Sequence, residues 1–391
     1  MKQVLDIAGL PAPPPEAQAA SAALTRAIAQ EIAVNGGRVT FARYMELALY
    51  APGLGYYMAG ARKLGRDGDF VTAPEISALF GRTLARQFAP LIANGYGELL
   101  EIGAGSGALA ADLLLELERL GRLPQRYLIL ELSSDLRSRS RDTLAARAPR
   151  HLERVAWLAG LPPAFEGIVF GNEVLDAMPA DRISRSRGET LEGFVRYDEE
   201  RDRFADLQAP ASEPVRRAAA ELPLPDDDYS TELQLRARAF VRSLGAALAR
   251  GVAFFFDYGF PRREFYHPQR SRGTLMCHYR HRAHGDPYFL PGLQDITSHI
   301  DFSAIAQAGR EAGMDLLGYT NQAQFLLNCG LTSILSETSP DDVAAYAPLA
   351  AQAQKLVSPA EMGELFKVIA LGKGVTAPLL GFEHGDKSGS L

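Results

Sequence analysis

Glu98-Leu99-Leu100-Glu101-Ile102-Gly103-Ala104-Gly105-Ser106-Gly107 is the stretch from which the fold follows. Leu99, Leu100 and Ile102 make an apolar run of strand length, and the glycines behind them leave no Cβ to obstruct a tight turn or the close approach of backbone to a ligand. Leu109, Leu113, Leu117 and Leu120 then recur at helical spacing on one face. The order is strand, glycine loop, helix. Further strands are expected at 127–132, 155–158, 167–170 and 252–256, with Ser133 or Ser134 capping the helix after the second. Right-handed crossovers between such parallel strands gather their carboxyl ends on one edge of the sheet, where ligands bind in open α/β folds.

Upstream, 19–32 reads as a helix, and Thr40 can cap a second running through Tyr44, Leu47 and Ala48. Between Pro52 and Gly81, glycines 53, 55, 60, 65 and 68 alternate with Tyr56, Tyr57 and Phe70, which suits a folded loop lying against a ligand or partner. Between the fourth and fifth strands the chain spends about seventy residues, more than one crossover helix needs. An inserted lobe is therefore expected, with hairpins around Gly188 and 198–202 and a helical return over Thr231 to Leu248. The segment 323–335, a helix over 342–355 and the apolar run 366–371 complete the main domain, and the Gly- and Ser-containing tail beyond Lys373 reads as frayed. The expected division is 1–90 for N-terminal helices and a covering loop, 91–180 with 250–375 for the sheet domain, 181–249 for an inserted substrate or partner lobe, and 376–391 for a flexible tail.

The 47% hydrophobic and 23% charged residues fit a folded protein with a buried core. A net charge of −6, and arginine runs at 137–150 and 182–187 without interleaved aromatics, argue against a nucleic-acid partner. Cys277 and Cys329 alone make neither a disulfide framework nor a close-spaced metal pattern, so a reducing compartment is expected. No uninterrupted apolar run reaches the ~18 residues of a membrane span. The proline-rich start, with Pro11 and Pro13 to Pro15, resembles neither a secretory nor an organelle-targeting signal, and a cytoplasmic location is expected. His267, His278, His281 and His284 lack a ligand spacing, so no metal is expected, and Ser106 does not sit in a G-x-S-x-G elbow.

Glu101 ends the first strand, where it can accept hydrogen bonds from the loop or from a bound amino group, and Glu131 ends the second, where a carboxylate can hold two vicinal ribose hydroxyls. Gly103, Gly105 and Ala108 also satisfy the dinucleotide pattern G-x-G-x-x-G/A, which keeps a nicotinamide-dependent oxidoreductase as an alternative. The acid two places before the first glycine, taken with Gly107, resembles instead the first motif of class I methyltransferases. Their cofactor, S-adenosyl-L-methionine, has an α-amino acid and a sulfonium in place of a pyrophosphate, and a carboxylate beside the amino group is favourable.

The fourth strand ends in Gly171-Asn172-Glu173-Val174-Leu175-Asp176, at the edge where a transferred methyl group would meet its acceptor. Asn172 offers a donor and an acceptor, and the carboxylates of Glu173 and Asp176 suit a guanidinium, which they would orient and relieve of a proton. The same acids can instead cap a helix. Asp295, His299 and Asp301 either close over the site or precede a helix capped by Asp301 or Ser303.

Several longer matches in order make the chain resemble the MidA family, also called the DUF185 or mitochondrial complex I assembly factor 7 family, from about Thr40 to Lys373. They are Tyr44 to Tyr50 with Gly55-Tyr56-Tyr57, Gly68-Asp69-Phe70-Val71-Thr72-Ala73-Pro74-Glu75 with Phe80-Gly81, the glycine loop, Gly171-Asn172-Glu173 with Asp176-Ala177, Asp257-Tyr258-Gly259, and Gln294-Asp295-Ile296-Thr297 with His299 and Asp301-Phe302. The resemblance implies a Rossmann-like, mostly parallel seven-stranded α/β sheet with helices on both faces, and S-adenosyl-L-methionine as donor with S-adenosyl-L-homocysteine as product. For the mitochondrial members it implies symmetric dimethylation of an arginine in a respiratory complex I subunit. Carried over, Asp69, Thr72 and Pro74 cover the cofactor, Gly103, Gly105 and Glu131 hold it, and Asn172, Glu173 and Asp176 address the acceptor; Glu101, Gly107 and Asn172 are also expected at the cofactor and His299 among the catalytic residues. A non-catalytic assembly factor that keeps the cofactor pocket is the remaining alternative.

Overall fold

The computed structural model describes residues 9–59 and 72–391, so Asp69 lies outside the described residues. These residues form two compact units, one drawn from 72–175, 239–259 and 302–391 and the other from 9–59, 176–238 and 260–301.

In the first unit, strands β1 (Glu98–Ile102), β2 (Arg126–Leu130), β3 (Val155–Leu158), β4 (Phe165–Asn172), β5 (Leu248–Phe260), β6 (Asp315–Asn321) and β7 (Phe366–Lys373) lie side by side in the order 6-7-5-4-1-2-3. β1 to β5 pair in parallel, and β7 runs antiparallel between β5 and β6. This is the expected Rossmann-like sheet, with one reversed strand. Phe254, Phe255 and Phe256 of β5 are all buried, each such ring being worth about 2 kcal/mol in area removed from water. Phe88, on the helix Ala78–Ala93, packs between Phe170 and Phe254 at 5.1 and 5.6 Å. Ser133 caps the helix Ser134–Arg147 by accepting from Leu136 N at 3.3 Å, as its position before that helix foretells.

The tail departs from expectation. Leu380–Phe382 form a helical turn, Gln87 accepts from Gly381 N at 2.8 Å, and the Phe382 ring packs on Phe325 at 5.4 Å. A single well-placed aromatic outweighs the glycine and serine around it, because its burial repays the ordering of the few residues that carry it.

The second unit holds an antiparallel sheet in which Glu189–Asp198 pairs with Asp181–Ser186 on one side and with the short strand Val39–Thr40 on the other, and also with Arg203–Pro210. Both expected hairpins are present. The return segment differs from the helix expected over 231–248: Tyr229–Leu233 is a strand paired with Asp181–Ser186, and the helix Leu235–Ala247 follows it. The inserted lobe does not stand alone, since the helices Pro15–Val34 and Phe41–Tyr50 and the small sheet of Met276–Tyr279, Arg282–His284 and Asp295–Thr297 belong to the same unit. The boundaries at 90, 181 and 249 therefore divide the chain differently from its two units, because strand pairing joins segments remote in sequence. Among the described residues no helix is long and apolar enough to cross a membrane.

Candidate functional site

The glycine loop after β1 is built as its composition requires. Gly103, Gly105 and Gly107 have φ of 68°, 53° and 81°, the left-handed region that side chains rarely adopt. A Cβ on Gly107 would also lie 2.8 Å from Ser140 Cα, so glycine there permits the following helix to approach its neighbour. The loop is tied at both ends, with Gly103 N donating to Leu130 O at 2.9 Å and Gly107 N to Ala104 O at 2.8 Å. Ser106 Oγ accepts from Ala108 N at 3.2 Å and donates to the Glu75 carboxylate.

Two acids stand at the neighbouring strand tips. Glu101 is 2% exposed, and burial pushes its carboxyl up to about 7; a 2.7 Å hydrogen bond from Tyr127 opposes the rise and the charge of Glu131 adds to it. Glu131 is also raised by burial, against hydrogen bonds from the amides of Ser133, Leu132 and Gly105 and the charge of Arg137. Arg137 donates to the backbone oxygens of Glu131 at 2.6 Å and Leu158 at 3.1 Å, locking the ends of β2 and β3. Among the described residues no Lys or Arg side chain pairs with the carboxylate of Glu101 or Glu131.

At the tip of β4, Asn172 Nδ2 donates to Glu173 Oε1 at 2.9 Å, while Asn172 Oδ1 is buried with no hydrogen-bond donor among the described residues. Glu173 has φ 53°, and its N donates to Phe256 O at 2.9 Å. Asp257, in β5 just after Phe256 and 1% exposed, accepts from the amides of Val174 at 3.2 Å, Leu175 at 2.8 Å and Tyr258 at 2.9 Å. Tyr258 Oη donates to Glu173 Oε2 at 3.4 Å.

Of the residues singled out from sequence, Thr72, Pro74, Glu101, the three glycines, Glu131, Asn172 and Glu173 thus fall in the sheet unit, and Asp176 and His299 in the other. Thr72 and Pro74 serve the start of the short helix Ala73–Ile76, Thr72 O accepting from Glu75 N at 3.0 Å. In the other unit Asp176 is buried, its backbone oxygen taking Ser298 N at 3.1 Å. The His299 ring packs edge-on to Phe260 at 5.4 Å, with its backbone bonded to Thr274 and Gln234. Asp295 accepts from Tyr57 Oη at 2.9 Å, and Asp301 pairs with Arg262 at 3.2 Å. Sequence reasoning passed over Tyr127, Glu75 and Arg137 as individual contributors. Only Glu75 left a signal, as the acid that ends the quoted stretch Gly68 to Glu75.

Residues 79–320 match a family profile described as a putative S-adenosyl-L-methionine-dependent methyltransferase. The chain belongs to this family. It is therefore a methyltransferase using S-adenosyl-L-methionine, and the oxidoreductase alternative falls. A crystal structure from Burkholderia thailandensis, bound to S-adenosyl-homocysteine, is 52% identical, covers 98% of this methyltransferase and 100% of that chain, and superposes with a TM-score of 0.94. Among curated relatives, the protein arginine methyltransferase NDUFAF7, mitochondrial, of Mus musculus is 29% identical over 368 residues, covering 86% of this chain and 81% of its own. The Drosophila melanogaster homolog is 27% identical and covers 89% and 86%.

Proposed function

We propose that this methyltransferase modifies an arginine side chain of a protein, as the name of the mouse relative states of that protein. The observation that carries the reading is the tip of β4, where an amide oxygen of Asn172 that no donor among the described residues meets and the carboxylate of Glu173 lie side by side. A buried acceptor without a donor costs free energy until a ligand supplies one, and a guanidinium carries five N–H donors in a plane. Glu173 orients that plane and takes the proton which the attacking nitrogen must lose.

The chain's own groups fit the cofactor. Glu101, with Tyr127 as its only side-chain hydrogen-bond partner among the described residues, receives the α-amino group, and Glu131 receives the ribose hydroxyls. Gly103, Gly105 and Gly107 bring bare backbone to the ligand, and the segment carrying Thr72 and Pro74, with Asp69 before it, is assigned to cover it. The cofactor supplies an electrophilic methyl group on a sulfonium. Symmetric dimethylation and a respiratory complex I subunit as acceptor extend the reading on the strength of the family resemblance, and the cysteine usage extends it to a reducing, cytoplasmic setting.

Mass spectrometry of arginine methylation, in strains with and without this chain, tests the acceptor. A set of methylarginine sites that disappears with the chain is expected. An unchanged arginine inventory, with methylation lost instead from another residue type, overturns it.

A further inference from the structure

We infer that Asp257 is a positioning residue for methyl transfer, acting by clamping the left-handed turn that presents Asn172 and Glu173. The inference rests on the role of Glu173 given above. A side chain with a Cβ stays at φ 53° only where its surroundings hold it there, and such strain gathers at sites that need a fixed orientation. Two consecutive residues of β5 supply the hold. Phe256 O takes the amide of Glu173 itself at 2.9 Å, and Asp257 Oδ2 takes the next two amides, of Val174 and Leu175, at 3.2 and 2.8 Å. The other oxygen of Asp257 takes Tyr258 N at 2.9 Å, and the Tyr258 hydroxyl reaches Glu173 Oε2. The turn is thus fastened to β5 at the strained residue and at the two residues after it.

The clamp also sets the distance between the two halves of the site. Val174, whose amide Asp257 holds, places its Cγ2 3.3 Å from the position of a Cβ on Gly103 and 3.0 Å from that on Gly171. Its methyl group therefore fills the space that glycine leaves at both the loop after β1 and the end of β4. Asp257 is one residue beyond the strand pairing of Asn172 with Phe256, so an acid here meets the first amides that leave the sheet. An aspartate at this point satisfies donors that the ladder can no longer serve.

Asp257→Asn keeps the shape but leaves one acceptor oxygen and turns an NH2 towards a backbone amide, so at least one of the three bonds is lost. Tritiated S-adenosyl-L-methionine and a protein extract from a strain lacking the chain provide the assay. The expected result is a turnover rate lowered about 30-fold at saturating donor, with donor affinity by calorimetry within about threefold of wild type. In a Glu173→Gln background the same change should cost less than about threefold more, because a clamp has no effect once the group it presents is gone. Tyr258→Phe keeps the ring packed on Phe366 and repeats the test in a milder form, useful if Asp257→Asn does not fold; a loss of about threefold is expected, again absent in the Glu173→Gln background. Independent, multiplying losses in either double variant, or a donor affinity that falls in step with turnover, overturn the inference. Absence of label with wild type removes the acceptor reading and the inference with it, whereas label from wild type with multiplying losses removes the inference alone.

Discussion

Glu101 and Glu116 are buried glutamates of the same unit, one at the tip of β1 and the other on the helix that follows the glycine loop, yet their surroundings treat them oppositely. Glu116, 4% exposed, is met by Arg82 at 3.0 Å and by Arg119, and Glu337 joins the same arginines from outside together with Arg86. Burial raises its carboxyl, but the hydrogen bonds and charges of Arg119 and Arg82 outweigh that and leave it below the usual range. Glu101 has a tyrosine hydroxyl and a second carboxylate for neighbours and is raised to about 7. A buried acid matched by cations within the protein is scaffolding. One with no cation paired to it among the described residues, as Glu101 is, leaves room for a ligand that brings its own.

The comparison breaks most visibly at the acceptor side. Glu173→Gln should lower methyl transfer about 1000-fold while donor affinity holds, since the proton acceptor is lost and the shape is kept; radiolabel transfer beside calorimetry checks it, and a loss confined to donor binding refutes the assignment.

Next in size, Glu131→Ala or Gly103→Val should weaken binding of S-adenosyl-L-homocysteine by at least about 100-fold in calorimetry, the first by removing a charged acceptor and the second by forcing a β-branched side chain to φ 68° against Val174.

Donor affinity should climb about tenfold per pH unit below 7 and level off above it, because the ionised Glu101 is the form that pairs with an amino group. The sign for stability is opposite. A carboxyl raised from 4.5 to about 7 by folding makes the unliganded fold less stable as pH rises through that window, and ligand offsets the loss. Tyr127→Phe sharpens the point: it removes a hydrogen bond that favours the charged form, so the pH midpoint for binding should move upward, and an unmoved midpoint would assign the titration to another group.

The smallest effect on binding is expected at Glu116. Glu116→Gln should leave donor affinity unchanged and cost about 2 kcal/mol of stability, by leaving its arginines short of a partner. Because its folded value is depressed, that contribution is present above the ordinary carboxylate range and fades as pH falls through the folded value; denaturant melts at neutral and acid pH measure both.

Much of this is legible in the sequence. Gly103, Gly105 and Gly107 are at positive φ as a strand-to-helix turn demands, and Ser133 caps the helix it precedes. The pairing of Asn172 with Glu173 follows from adjacency at a strand end. What escaped was set by contacts across the chain: Glu75 reaching Ser106, Arg137 fastening two strand ends, Tyr127 on Glu101, and Val39–Thr40 joining a sheet whose other strands come much later. No periodicity encodes such pairings.

By itself the sequence determined where strands, turns and caps fall, because backbone angle and apolar period are properties of a few consecutive residues. Only the tertiary structure decided which acids are matched and which are left open, since a carboxylate's charge depends on its depth and on neighbours that other segments bring to it. Glu101 and Glu116 are the same residue type in the sequence, and packing alone raises the carboxyl of one and lowers that of the other.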